Sequence, residues 1–143
     1  MRFLFNHPRG GVKTKQMRAT GLRIGNFIYG IDEDFDRYLI VVDANDICNV
    51  DCEDDNDGYE GIPLTDEWLE KLGALKDEYG DVFIEVDSES DTRLYLSMKG
   101  YIQLVKSYHC PMFDYEHIRY VHQLQNLFFC LSGEELTIKE DRL

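Results

Sequence analysis

The segment that most constrains the fold is the run "YEHIRYVHQLQNLFFCLS", residues 115–132, near the C-terminal end of the chain. When successive residues are placed about 100° apart around a helix axis, the apolar side chains cover an arc of about 200°. An ordinary surface helix has an apolar stripe only about 100° wide. The run therefore predicts a largely buried helix that packs against a sheet and ends at Gly133.

The polar side chains of this helix divide into two groups. Gln125 lies inside the apolar arc, so we predict a buried structural amide that bonds a backbone group of another segment and binds no ligand. His122, Gln123 and Asn126 lie on the opposite face, and we predict that they are mostly exposed.

Three alternating segments before the helix predict an antiparallel meander. They are residues 81–86, 92–98 and 101–105, with a hairpin loop at 87–91 and a longer loop at 106–114. A sheet of three strands needs a cover on one face. The C-terminal helix is the expected cover.

A short helix is predicted within residues 63–73. Thr65 suits the N-cap, and Leu64 and Leu69 have the spacing of a hydrophobic staple. Gly73 suits the position just after the helix, where a left-handed backbone is common.

The first half of the chain predicts short strands separated by turns. Residues 22–29 predict a strand pair or a bent strand, with the break at Gly25–Asn26. Residues 38–43 predict a buried strand, and residues 46–52 are an alternating segment before an acidic loop. This spacing favours a small curled sheet, or an SH3-like barrel. The predicted fold class is α+β: the curled sheet, the short helix, and the meander packed by the C-terminal helix.

Charge divides the chain unevenly. The net charge is −13, yet residues 1–23 hold six basic and no acidic residues, while the remainder holds nine basic and 28 acidic residues, a net charge of −19. We interpret residues 1–16 as a basic tail and residues 17–143 as one domain, with a β subdomain over 17–62 and the helix, meander and helix over 63–143. The acidic balance disfavours direct binding to nucleic acid or to an anionic membrane.

The sequence predicts a cytoplasmic protein. The opening "MRFLF" is shorter than the core of a secretory signal, and no apolar run approaches the length of a membrane span. The four cysteines, Cys48, Cys52, Cys110 and Cys130, are therefore expected to be reduced thiols.

The acidic stretch around Gly58 invites comparison with a calcium-binding loop. Aligning Gly58 with the glycine of an EF-hand loop places Glu53, Asp55 and Asp57 at ligand positions. The last position, which needs a bidentate glutamate, is then Leu64. A solvated acidic loop is the better interpretation.

The sequence signals for a zinc site and for nucleophilic catalysis are also weak. Cys48 and Cys52, with His109 and Cys110, supply zinc-ligand types, but an i,i+4 pair on a strand lies about 13 Å apart. The sequence contains no phosphate-binding loop, nucleotide-binding glycine motif or serine-hydrolase motif. We therefore predict no catalytic residues, no metal and no cofactor.

Protein contact is the favoured function. Asp51, Asp54, Asp55 and Asp57 are the predicted partner-binding residues, because a dense acidic loop suits a basic protein. The alternative is an acidic inhibitor that mimics DNA and blocks a host nucleic-acid-binding or defence protein. The third hypothesis is a small ligand binder or enzyme.

Three motifs carry a family resemblance: "LRIGN" at residues 22–26, "IPLTDEWLEKLG" at 62–73 and "YVHQLQNLFFCLSGEEL" at 120–136. Together they resemble a family of small proteins of Bacteroidetes bacteria, their prophages and phages, over about residues 17–138. The resemblance implies a mobile-element setting, and with it we predict a non-catalytic accessory protein. It implies no activity and no site residues.

Overall fold

The computed structural model describes residues 17–52, 58–96, 102–106, 110–115 and 118–139, without the side chains of residues 51–52 and 110–115. The predicted tail, residues 1–16, lies outside this part of the chain.

The described residues form an α+β fold, as the sequence predicts. In chain order the elements are a 3₁₀ turn at Ala19–Gly21, β1 (Phe27–Ile31), β2 (Arg37–Val41), α1 (Ala44–Cys52), β3 (Tyr59–Glu60), α2 (Asp66–Lys71), β4 (Leu75–Lys76), β5 (Val82–Asp87), β6 (Thr92–Leu96), β7 (Ile102–Lys106), β8 (Cys110–Tyr115) and α3 (Val121–Ser132).

Two open antiparallel sheets organise these elements. The smaller sheet has the strand order β2-β1-β3, and the larger has the order β4-β5-β6-β7-β8. The described strands close no barrel, so the SH3-like alternative is wrong. The reason lies in α1, a helix in the stretch where the sequence suggested a further strand of the small sheet.

Helix α1 has a local cause that the alternating pattern of residues 46–52 does not reveal. The carboxylate of Asp43 accepts from the N–H of Asp46, and the carboxylate of Asp46 accepts from the N–H of Asp43, both at 2.9 Å. This reciprocal pair starts a helix in the manner of a capping box. Val50 is buried one turn after the half-buried Ile47, which is helical spacing.

Strand β2 is an exposed edge rather than the buried strand predicted over residues 38–43. Its side chains are all exposed except Ile40, which is half-buried. A β-branched run is typical of buried strands, but in the part of the chain that the structure describes β2 has a neighbouring strand on one side only. Tertiary position therefore overrides local preference here.

The predicted meander is confirmed as β5, β6 and β7, and it has two further strands. β4 pairs with β5, and β8 pairs with β7 within the predicted loop over residues 106–114. Helix α3 consequently begins at Val121 rather than near residue 115. The side chain of Gln123 marks this start, because its oxygen accepts from the N–H groups of Arg119 and Tyr120.

Helix α2 begins and ends where the sequence predicts. The hydroxyl of Thr65 accepts from the N–H of Trp68 at 3.3 Å. Gly73 has a φ of 89°, and the N–H groups of Gly73 and Ala74 bond the carbonyls of Glu70 and Leu69. This is the Schellman arrangement that closes a helix.

Helix α3 belongs to the main core together with both sheets. Val121, Leu124 and Phe128 pack in one cluster with Ile84 of β5 and Phe27 of β1. A second, smaller cluster lies on the other face of β1 and contains Leu22, Ile28, Val42 and Val50. Strand β1 is therefore covered on both faces, whereas its neighbour β2 is not.

Candidate functional site

Gln125 is fully buried, and its side chain forms hydrogen bonds with three backbone groups and one side-chain amide. Its side-chain oxygen accepts from the N–H of Phe27 at 2.8 Å and lies 3.5 Å from the amide nitrogen of Asn26. Its amide nitrogen donates to the carbonyl of Leu136 at 3.0 Å and to that of Gly25 at 3.3 Å. Both polar atoms of the Gln125 side chain form hydrogen bonds within the chain, so neither is available to bind a ligand.

An adjacent amide network fixes the turn before β1 to α3. The buried Asn26 donates to Asn126 at 2.9 Å and accepts from the N–H of Arg23 at 2.7 Å. Asn126 donates in turn to the carbonyl of Gly21 at 2.9 Å. Two of the three sequence motifs, residues 22–26 and 120–136, therefore meet through these contacts, which are structural in character.

His122 is buried, with 7% of its surface exposed, so the prediction that it is mostly exposed is wrong. Its ring stacks on Tyr120 with centroids 5.7 Å apart and an interplanar angle of 15°. Burial lowers the pKa of His122 to about 4. The same face of the helix is only partly exposed at Gln123 and Asn126.

The least ordinary surface feature lies at the turn between β1 and β2, residues 32–36, which we call the hairpin tip. One carboxylate oxygen of Asp32 accepts from the N–H groups of Asp34 and Asp36, both at 2.9 Å. The N–H of Phe35 donates to the carbonyl of Asp32 at 3.0 Å. The turn is thus organised by its first aspartate.

The loop between β4 and β5, residues 77–81, has the same hydrogen bonds. There the carboxylate of Asp77 accepts from Tyr79 and Asp81, both at 2.9 Å, and the N–H of Gly80 donates to the carbonyl of Asp77 at 3.0 Å. The sequences are DEDFD at the hairpin tip and DEYGD at this loop. The fourth residue is therefore Phe35 in one loop and Gly80 in the other.

Phe35 has a backbone conformation that suits glycine. Its φ is 61°, against 83° for Gly80. A bulky residue in the left-handed region costs about 1–2 kcal/mol. In addition, 84% of the Phe35 side chain is exposed, so no packing in the described chain offsets that strain. Strain of this kind is concentrated at functional sites.

The hairpin tip is also strongly acidic. All five of its residues are exposed, and four of them are carboxylates: Asp32, Glu33, Asp34 and Asp36. The nearest base, Arg37, is held by Glu60, with Nε and Oε2 2.5 Å apart. That hydrogen bond raises the pKa of Arg37. Within the described residues, no base forms a salt bridge with the four carboxylates of the tip.

Three apolar side chains of β2, the strand that follows the tip, are also exposed. Tyr38, Leu39 and Val41 are 52%, 46% and 58% exposed. Tyr38 lies against Gly30 of β1, where a side chain would collide with its ring. Because side chains alternate along a strand, Tyr38 lies on one face of β2, and Leu39 and Val41 lie on the other.

Most of the predicted partner-binding acids lie outside the residues that the structure describes. Asp54, Asp55 and Asp57 are outside the described residues, and only the backbone of Asp51 is described, at the end of α1. Their role as a contact stays a prediction. In the part of the chain that the structure describes, no three His, Cys, Asp or Glu side chains are grouped to hold a metal ion.

A shallow open depression of about 280 Å³ lies beside β4 and β5. Its lining includes Lys76, Tyr79, Phe83 and Arg93. The guanidinium of Arg93 already lies 4.2 Å from the centre of the Phe83 ring. The lining also includes the acids Asp77 and Glu78. Ligand sites are usually enclosed clefts, and this depression is open, so it gives the ligand-binding hypothesis little support.

Among the described helices, none has the length and apolar character to cross a membrane. Comparison of the chain with protein families, curated proteins and solved structures found no match.

Sequence reasoning missed the hairpin tip, although the sequence contains its signal. Two stretches of the form D-E-x-x-D, at residues 32–36 and 77–81, each connect a pair of strands. The second has glycine at its fourth position, as a left-handed residue requires. A phenylalanine at the equivalent position of the first marks the strained exposed site.

Proposed function

We propose that this chain is a non-catalytic, cytoplasmic accessory protein that acts by contact with a basic protein, through the hairpin tip and the exposed side chains of β2. The mobile-element setting implied by the family resemblance is part of this proposal. The observation that carries it is Phe35, an exposed aromatic residue held in a strained backbone conformation among four carboxylates.

Large aromatic side chains dominate the energetics of many protein interfaces. Phe35 offers an anchor of this kind, and Tyr38 is a second exposed aromatic residue three positions further along the chain. The carboxylates around the anchor attract a basic surface and repel an acidic one, which gives specificity and faster association. An exposed patch that serves only solubility needs no phenylalanine at its centre.

The test replaces Phe35 with glycine in the full chain. Phe35→Gly removes the anchor and relieves the left-handed strain, so the variant is expected to unfold at or above the wild-type temperature. Tyr79→Ala is the matched control, because Tyr79 is 76% exposed in the loop with the same hydrogen bonds. Each tagged protein is used to isolate partners from a bacterial lysate.

We expect wild type and Tyr79→Ala to retain the same basic protein, and Phe35→Gly to retain less than a tenth of that amount. Replacing Asp34 and Asp36 with asparagine is expected to weaken retention at low salt and to reduce its dependence on salt. If Phe35→Gly retains the same proteins in the same amounts, the hairpin tip is not the contact and the proposal fails.

A further inference from the structure

The free edge of β2 suggests how such a partner binds. Among the described strands, β2 pairs with β1 on one side and has no neighbour on the other. An edge strand presents unpaired N–H and C=O groups that an extended chain is able to join.

The hydrogen bonds around β1 show which groups of β2 face outward. The N–H of Phe27 bonds Gln125, and the N–H of Ile31 bonds the carbonyl of Gly58, so the odd-numbered residues of β1 face away from β2. The even-numbered residues, Ile28 and Gly30, oppose Ile40 and Tyr38. Since the directions alternate along an antiparallel strand, the peptide groups of Arg37, Leu39 and Val41 face outward. We call these groups the β2 edge.

The other edge strands have features that hinder pairing with a further strand, and β2 has none of them. β3 and β4 have two residues each. β8 contains Pro111, which has no N–H, and its pairing with β7 has a register shift. Strand β2 has five residues, an unbroken register with β1 and no proline. Natural sheets avoid long unprotected edges, so this exposed edge fits an occupied site better than a bare one.

Charge identifies the occupant. Exposed acids lie at both ends of the edge: Asp36 and the rest of the hairpin tip before Arg37, and Asp43 after Val41. A second copy of this chain, itself at −13, would bring the same acids against them. An extended segment with apolar residues in its middle and Lys or Arg at both ends matches the edge and its flanks in either direction.

We infer that the β2 edge binds such a basic, extended segment of a partner protein by strand addition. The inference rests on the proposed function, because it names how the partner meets the hairpin. Main-chain hydrogen bonds to Leu39 and Val41 would form the new ladder, and the acids would fix its basic ends. Phe35 lies at one end of the same edge.

The probe is the synthetic peptide Lys-Lys-Val-Thr-Val-Thr-Val-Lys-Lys, added to the full chain, with a control peptide that has Glu at the four end positions. Binding is measured by fluorescence anisotropy, and amide hydrogen exchange is followed by NMR. We expect the Lys-flanked peptide to bind at least tenfold more tightly than the control. The amides of Leu39 and Val41 should gain protection, and those of Tyr38 and Ile40 should not change.

Two variants of Leu39 distinguish the contribution of its backbone N–H to peptide binding from that of its side chain. Leu39→Pro removes the outward N–H and leaves the ladder with β1, so it should weaken binding at least tenfold. Leu39→Ala keeps the N–H and should weaken binding less than threefold. Circular dichroism checks that both variants fold, and the exchange of the wild-type amides tests the inference even where Leu39→Pro does not fold.

Three outcomes would overturn the inference. If the peptide binds without protecting Leu39 and Val41, contact is electrostatic; strand addition fails and the proposed function stands, provided that Phe35→Gly still loses its partner. If the Lys-flanked peptide does not bind, the edge does not accept a basic strand. If the chain alone sediments as a dimer that Leu39→Pro dissociates, the occupant is a second copy.

Discussion

The side-chain oxygen of Gln125 lies 2.8 Å from the backbone nitrogen of Phe27, where a neighbouring strand would otherwise supply a carbonyl. β3 pairs with β1 only at Tyr29 and Gly30, so its two residues do not reach Phe27. The amide of α3 completes the ladder in its place. An unpaired buried N–H is costly, and this single side chain removes that cost while fastening α3 to the small sheet.

The first prediction is that Gln125→Ala destabilises the protein by about 1–3 kcal/mol, because it leaves the Phe27 N–H and the Leu136 carbonyl unpaired. Gln125→Met is the volume control, since it fills the space without hydrogen bonding. Chemical denaturation measures both variants. If Gln125→Met is as stable as wild type, hydrogen bonding contributes little and the loss in Gln125→Ala is a cavity effect.

The second prediction concerns pH and His122. The pKa of His122 is lowered to about 4 in the folded protein by burial, from about 6.5 in an unfolded chain. The unfolded state therefore binds the proton first. Stability from the neutral imidazole is fully present above about pH 6.5 and is lost as the pH falls toward 4, by about 3 kcal/mol in total.

His122→Phe tests this, because it keeps a flat ring against Tyr120 and does not titrate. The free energy of unfolding is measured for both proteins between pH 4 and pH 7, the window set by the folded and unfolded pKa values of His122. The difference between them should grow as the pH falls. Two parallel curves would show that His122 does not govern the acid sensitivity.

The third prediction uses the close approach of residue 61 to the start of α3. A side-chain carbon at Gly61 would lie 2.8 Å from the Tyr120 ring and 3.3 Å from His122. Gly61→Ala should therefore cost about 1–3 kcal/mol through overpacking. Gly21→Ala is the control, because nothing lies within 4 Å of its added carbon. Equal melting temperatures for the two variants would contradict the predicted crowding.

Local signals were sufficient for the elements whose causes are local. Thr65 and Gly73 bound α2 because capping depends on a few neighbouring residues. The helical wheel places Gln125 inside, in agreement with its burial. The wheel fails at His122, because the segment around Gly61 and the ring of Tyr120 cover a face that an isolated helix would expose.

Tertiary causes explain what the sequence pattern missed. The apolar residues of β2 look like a buried strand, and only the strand order shows that it is an edge. Strand β8 contains Pro111, which disfavours a strand assignment, yet an edge position tolerates it. The candidate site on β2 could therefore not be inferred from residue types, whereas the loop repeat that marks Phe35 was visible in the sequence.

The fourth prediction concerns the acidic loop. Replacing Asp51, Asp54, Asp55 and Asp57 with asparagine raises the net charge by four without changing side-chain size. If this loop also faces the basic partner, association should slow at low salt, and its dependence on salt should flatten.

The matched control neutralises four exposed acids elsewhere: Glu78, Glu85, Glu89 and Glu134, each replaced by glutamine. Both variants have the same net charge, so a difference between them reports location. Association with the basic partner retained by the wild-type chain is measured by stopped flow from about 20 to 300 mM salt, since screening grows over this range. We expect the asparagine variant to associate several-fold more slowly than the glutamine variant at the lowest salt, and the two rates to converge at the highest. Equal rates at low salt would mean that the partner responds only to overall charge, and the acidic loop would then be excluded as part of the contact.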